Sequence, residues 1–372
     1  MGLIMDNKKG HSEGITMSGG GLYSLATIGA KHVIDAATPL VVDAINSLPS
    51  DSFSTGFTLS DMGTADAGTS LSMIDHAIDA VAERDPATAI SIVYSDQPRN
   101  DFNALITNVY GLGPFESYLG KRDNVFPFVS GTSFYKQIVP DNSLNLGFSA
   151  TAMHWLSEKV CNISNHVQAV GAEGKELEAF RQQAHNDWRQ ILLHRAKELK
   201  SGGKLVLINF ARDEQGRYLG NTDGINMFDT FNQIWQSFLE QNLISEFEYQ
   251  GMTLPQYYNS VEEFSAPLVN SDERVYQAGL RLDHIDTRIV KCPFAEAFKE
   301  HQDAAKFADE YIPTIRSWNE SIFFNALSTD RPQQERSELI EQYYSSYRDM
   351  VRENPQGHAM DYVHAYTIIS KV

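Results

Sequence analysis

The chain is short of cysteine, of positive charge and of long apolar runs, and each shortage removes a class of protein. Two cysteines, Cys161 and Cys292, in 372 residues provide no disulfide framework, which is the expectation for a reduced, cytoplasmic protein. Thirty Lys and Arg stand against 48 Asp and Glu, a formal charge of −18. That balance argues against a nucleic-acid partner. It does not exclude a small anion, which needs only a local positive spot. No stretch reaches the roughly 18 consecutive apolar residues of a membrane span, so no membrane partner is expected. The first sixteen residues are polar, lack a signal peptide's apolar region and read as a mobile arm or lid. The G-x-G-x-x-G dinucleotide fingerprint and the Gly-Lys-Ser/Thr of a P-loop are also missing. No Ser-His-Asp set, zinc-ligand cluster or carboxylate pair stands out, and no metal ligand is assigned.

What is present is an alternation of strands and helices. Phe57, Thr58 and Leu59 read as a buried strand, followed by a small-residue turn through Asp61, Gly63 and Gly68 and a helix over Ser72 to Val81. Ala89 to Ser95, Val125 to Ser130, Leu144 to Ser149 and Lys204 to Phe210 read as further strands. Ser24 to Ile45 reads as a helix interrupted at Pro39. Ala172 to Leu199 reads as a long helix ended by Ser201, Gly202 and Gly203. From 57 to 210 this is the pattern of an α/β fold with a doubly wound parallel sheet. Beyond 212 the chain turns helical and aromatic and reads as a cap reaching to 354. Tyr362 to Ile369 alternates like a strand that rejoins the sheet. The domain expectation is 17–211 plus about 355–372 for the sheet, with 212–354 as the cap.

Open α/β sheets take ligands at the carboxyl ends of their strands. Asp61, at the end of the first strand, is placed to accept from a ligand ammonium, and Gly63 lets backbone approach with no Cβ in the way. Asp96 ends the second strand, where an acid commonly accepts from both ribose hydroxyls; its competing role is as N-cap of the next helix.

Four segments together resemble the SABATH methyltransferases, which methylate plant acids or xanthine nitrogens with S-adenosylmethionine. MSGGGLYSLATIGA is similar to the family's opening stretch, with Tyr23 at its Tyr, Thr27 at its hydroxyl position and Ala30 where a Gln is expected. DMGTADAGTS looks like the family's Asp-Leu-Gly-Cys-Ser-Ser-Gly-Pro-Asn-Thr, with Thr69 at the Asn. SDQPRNDFN is similar to its Asn-Asp-Leu-Pro-x-Asn-Asp-Phe-Asn. The run from Gly131 through SFY to HWLS looks like its Gly-Ser-Phe-Tyr and His-Trp-Leu-Ser segments, and PQYYNSVEEF echoes a later one.

The resemblance implies a Rossmann-like sheet with a helical cap, S-adenosylmethionine as cofactor, a small-molecule methyl acceptor as partner and a homodimer. It implies that Asp61 and Thr69 hold the methionine part. Asp96 takes the ribose, Gln97 packs on the adenosine, and Ser133 and Phe134 meet the adenine. Tyr23, Thr27, Gly63 and Ser149 complete the cofactor side. His154 and Trp155 line the acceptor pocket, with Tyr23 and Thr151, which replaces a Tyr. Tyr257 and Phe324 are further acceptor-side candidates, with packing inside the cap as the competing and favoured role. Asp101 and Asn103 are read as structural.

Methyl transfer from a sulfonium is an in-line displacement, and a carboxylate is already ionised at pH 7 and needs no base. The protein has to align the reactants and exclude water. Ala30 removes a donor that helps clamp a carboxylate in relatives. Methylation of a thioether sulfur or of a nitrogen therefore stays open beside O-methylation, as does a catalytically silent, cofactor-binding partner subunit.

Overall fold

A computed structural model describes residues 22–222 and 224–372. The arm over 1–16 and the segment from 14 to 21 lie outside the described residues. The chain opens with two helices, α1 (Leu22–Ala26) and α2 (Ile28–Asn46). A βα alternation follows: β1 (Phe57–Met62), α3 (Leu71–Arg84), β2 (Ile90–Ser95), α4 (Phe102–Val109), β3 (Val125–Ser130), β4 (Leu144–Ala150), α5 (Gly174–Glu198) and β5 (Leu199–Arg212). Then come α6 (Met227–Glu240), α7 (Glu246–Gly251), β6 (Asn259–Ser260), α8 (Val261–Val269), α9 (Arg274–Gln277) and β7 (Leu280–Val290). Helices α10 (Pro293–His301), α11 (Ala304–Ala326) and α12 (Gln333–Glu353) precede the last strand, β8 (Tyr362–Lys371).

The sheet runs β3-β2-β1-β4-β5-β8-β7, with β6 beside the end of β5. Pairs β3·β2, β2·β1, β1·β4 and β4·β5 are parallel, whereas β8 lies antiparallel to both β5 and β7. Sequence order reverses between β1 and β4, so the crevice at their carboxyl ends is the topological switch point where such sheets take ligands. Helix α3 buries Leu71, Ile74, Ala77, Ile78 and Val81, an i, i+3, i+4, i+7 stripe facing the sheet. Strands β1 and β2 are almost continuously buried, as parallel strands covered on both faces must be.

Three expectations change. The break in the first helical region falls at Thr27, not at Pro39, which α2 carries without interruption. Thr27 has φ −109° and ψ 50°, and its own N–H and hydroxyl both donate to the Tyr23 carbonyl, at 2.9 and 2.8 Å. The glycines after α5 do not end it. The helix stops at Glu198 and β5 already includes Gly202 and Gly203, which absorb a register shift against β4. Gly202 sits at φ +79°, a conformation that costs glycine little. The segment after 212 is not wholly cap, because β7 is a strand of the main sheet.

Candidate active site

The turn after β1 is held from both sides. Gly63 and Thr64 donate to the Ser95 carbonyl at 2.8 and 3.3 Å, fixing the turn to the end of β2. Gly63 has φ +77°, and a Cβ there would lie 2.5 Å from the Ala152 Cβ. Ala65 and Ala67 also adopt positive φ, +50° and +62°, a strained conformation for alanine that clusters at functional sites. The Asp61 carboxylate accepts from Thr64 Oγ1 at 2.9 Å and Ser70 Oγ at 2.7 Å. Burial pushes its pKa up to about 6, with the nearby Asp96 adding to the effect. Asp96 accepts from the Ala65 N–H at 2.8 Å and the Gln97 N–H at 2.7 Å, and burial raises its pKa too. Asp96 is therefore no helix cap; Asp101 caps α4, accepting from Ala104 N–H at 3.1 Å. No cation offsets Asp61 or Asp96 among the described residues. A buried and a half-buried acid of this kind are what a positively charged ligand group would complete.

Helix α1 is pinned over this turn by Asp66, whose carboxylate accepts from the Ser24 N–H at 3.2 Å and from the Ser24 hydroxyl. Tyr23 and Thr27 thereby reach the cleft. Burial, with Asp66 and Asp96 close by, keeps the Tyr23 phenol protonated.

On the far wall the segment after β3 carries Ser133 and Phe134, with the Phe134 ring against Gly63. A fully buried ion pair anchors this segment. Arg195 contacts Glu198 through Nε and Nη2, both 2.6 Å, and donates to the carbonyls of Phe134 at 3.0 Å and Lys136 at 2.8 Å. Glu198 accepts from the Ile138 N–H at 2.5 Å. The pair thus positions the loop by its backbone.

After β4, Thr151 turns at φ +56° and its hydroxyl meets His364 Nε2 at 3.2 Å. His154 is buried among Trp155, Phe210 and Tyr258, with ring centroids 5.4, 4.7 and 6.0 Å away. Burial lowers its pKa to about 3, so the imidazole is neutral at pH 7. The Trp155 carbonyl is fixed by the Tyr135 hydroxyl.

These walls enclose one cavity of about 390 Å³. Tyr23, Thr27, Gly63, Asp96, Gln97, Ser133, Phe134, Thr151, His154 and Trp155 all line it, as does Ala30. Asp61 and Thr69 line a side cleft of about 20 Å³ that shares Tyr23, Gly63, Ala30 and Thr151 with the main cavity. Three expected site residues are not brought there. Ser149 is fully buried behind the site, its hydroxyl donating to the Met62 carbonyl at 2.7 Å and tying β4 to β1. Tyr257 turns away, its hydroxyl donating to Glu263 and accepting from Arg181. Phe324 packs under the Arg336 guanidinium, 4.0 Å from its ring centroid. Sequence reasoning missed the opposite wall: Phe210, Leu219, Gln256, Trp318, Met360 and Tyr362. The only local signal among them is Gln256, inside the PQYYNSVEEF segment whose Ser260 and Glu263 form the capping box of α8.

An open sheet with this strand order, and an acid-lined cleft at its switch point, defines a Rossmann-like fold with its ligand site at the strands' carboxyl ends. The fold is that of a loganic acid methyltransferase solved with S-adenosylhomocysteine, at TM-score 0.71 and 19% identity, covering 95% of this chain and 98% of that one. The chain matches the family described as SAM dependent carboxyl methyltransferase over residues 15–371, and it belongs to that family. It is 25% identical to gibberellic acid methyltransferase 1 of Arabidopsis thaliana, over 71% of this chain and 76% of the relative. Salicylate carboxymethyltransferase of Clarkia breweri is 26% identical, over 71% and 73%. Methyltransferase LUC1 of Fusarium sp is 32% identical, over 57% of each. The chain is an S-adenosylmethionine-dependent small-molecule methyltransferase.

The Asp61 pKa gives a pH signature. A ligand ammonium favours the ionised carboxylate, and protonation below pH 6 removes that partner. Cofactor affinity should therefore fall roughly tenfold between pH 7 and pH 5, a window in which His154, neutral down to about pH 3, makes no contribution. Calorimetric titration with S-adenosylhomocysteine across that range checks it; a flat profile would remove Asp61 from the binding site.

Proposed function

We propose that the chain transfers a methyl group to a carboxylate oxygen of a small organic acid, giving a methyl ester. One observation carries this: a single cavity joins the acid-lined end at Asp96 to an aromatic end around Trp155. Lys136, exposed, is the only cationic residue among its described lining residues. An anionic acceptor would thus be met by neutral N–H donors, which hold it without neutralising the nucleophilic oxygen. The Trp155 indole N–H has no acceptor among the described residues and would be one such donor. His154, neutral at pH 7, would orient the acceptor and exclude water rather than take a proton. The printed names of relatives point to acids as well: gibberellic acid, indole-3-acetate and salicylate.

On this reading Asp61 and Thr69 hold the amino-acid end of the cofactor and Asp96 its ribose. Gln97, Ser133 and Phe134 take the adenosine, with Tyr23, Thr27 and Gly63 between the two ends. When bound, the cofactor supplies a methyl already activated on a cationic sulfur. The remaining task of these residues is alignment. The helices between 212 and 354 would form the cap, and the sheet the cofactor domain. A cytoplasmic location, supported by two free cysteines, and a homodimer complete the reading.

Ala30 supports a second reading, transfer to a thioether sulfur or an amine, because it lines the cavity without the amide expected there. Methyl-labelled cofactor offered with a panel of small acids, thioethers and amines separates the two. Label released by mild base marks an ester; base-stable cationic label marks a sulfonium or quaternary nitrogen and refutes the carboxylate reading.

A further inference from the structure

The loop after β4 and the segment before α8 meet as a short antiparallel bridge, with Trp155 opposite Gln256. Its flanking bonds run from the Leu156 N–H to the Pro255 carbonyl at 2.7 Å, and from the Tyr257 N–H to the His154 carbonyl at 3.2 Å. Trp155 and Gln256 are therefore a non-hydrogen-bonded pair, the kind whose Cα atoms approach to about 4.5 Å and whose side chains lie closest on one face. Both side chains line the same cavity. The Gln256 amide is 1% exposed, and its Oε1 accepts from the Tyr258 hydroxyl at 3.0 Å. With the Tyr258 hydroxyl donating to it, Oε1 is turned away from the amide's other partner site. Nε2 then faces the cavity and has no acceptor among the described residues.

From this pairing, and resting on the carboxylate reading, we infer that Gln256 is the second donor of a two-point carboxylate clamp. Trp155 Nε1–H takes one acceptor oxygen and Gln256 Nε2–H the other. Gln256 thus restores from the cap side the amide that Ala30 lacks on α2. It is an acceptor-binding and specificity-determining residue, and it discriminates an acid from its ester or from a thioether. A thioether offers one weak acceptor and would leave an amide proton buried without a partner.

The test uses the acid that wild-type protein methylates fastest in the panel above. Gln256→Met removes the donor at similar volume and should raise KM for that acid about 10- to 100-fold, with affinity for S-adenosylhomocysteine within about twofold of wild type. Adding Ala30→Gln to Gln256→Met should recover at least about threefold of that loss, because a donor returns from the opposite wall. A packing defect at Tyr258 would not be repaired from α2. Gln256→Glu, which keeps an oxygen for Tyr258, should be worse than Gln256→Met at pH 8. If Gln256→Met leaves KM within twofold, or lowers cofactor affinity in step with it, the clamp is wrong while the carboxylate reading stands. If wild-type protein methylates no acid in the panel, both fall together.

Discussion

Arg195→Met is expected to lower the unfolding free energy by about 3–5 kcal/mol and to weaken cofactor binding with it. The side chain has no exposed surface, and its guanidinium satisfies both Glu198 oxygens and two backbone carbonyls in the segment carrying Phe134. Removing one partner of a buried ion pair strands the other charge in a poorly solvating interior. The Phe134 and Lys136 carbonyls would lose their donors at the same time. Urea denaturation followed by fluorescence should show the lower midpoint. Titration with S-adenosylhomocysteine should show the weaker binding at temperatures where the variant remains folded. A loss below about 1 kcal/mol would mean that water enters and replaces the guanidinium, and that the loop holds itself.

The second large effect concerns cofactor binding directly. Asp96→Ala should weaken S-adenosylhomocysteine binding by about 100-fold, or about 3 kcal/mol, with a smaller change in stability. The carboxylate is fixed by the N–H groups of Ala65 and Gln97, so its remaining lone pairs have a set direction before any ligand arrives. A methyl group there loses that acceptor and frees two amides of the turn. Asp96→Asn, which keeps one acceptor oxygen, should fall between alanine and wild type. Affinity within twofold of wild type for the alanine variant would place the ribose elsewhere.

Much of the cofactor half was legible because its signals are local. Phe57 to Met62 and Ile90 to Ser95 are buried along almost their whole length, and their large side chains, Phe57, Leu59, Met62, Ile90, Ile92, Val93 and Tyr94, stand among small polar ones within each short run. Each ends in an acid or turn whose role depends on neighbours a few residues away. The long helix from Gly174 was legible by its buried Phe180, Trp188, Ile191 and Ala196. Its end was not, since glycine signals a bulge as readily as a helix stop. Strand β7 was missed because LRLDHIDTRIV is half-buried along most of its length and its alternation is broken by a bulge between Leu282 and His284. Only the pairing with Tyr362–Lys371 makes it a strand, and that contact spans α10, α11 and α12. The acceptor wall was missed for a related reason: Phe210, Gln256, Trp318 and Tyr362 come from four separate regions, and no spacing links them. Ser149 was assigned to the cofactor through its segment, yet its hydroxyl is spent on the Met62 carbonyl, a bond invisible in one dimension.

The place of β8 between β5 and β7 bears on how the chain reaches this state. Both flanking strands leave the ribosome well before Tyr362 does. Through that interval β5, largely apolar from Leu205 to Ala211, presents an unsatisfied row of amides and carbonyls on one side. The helices from Pro293 to Glu353 emerge in the same interval, so the nascent protein must keep a slot open for a latecomer. Closure of β7 onto β5 before then would shut β8 out of the sheet, so the order of emergence and the order of pairing are at odds in this fold.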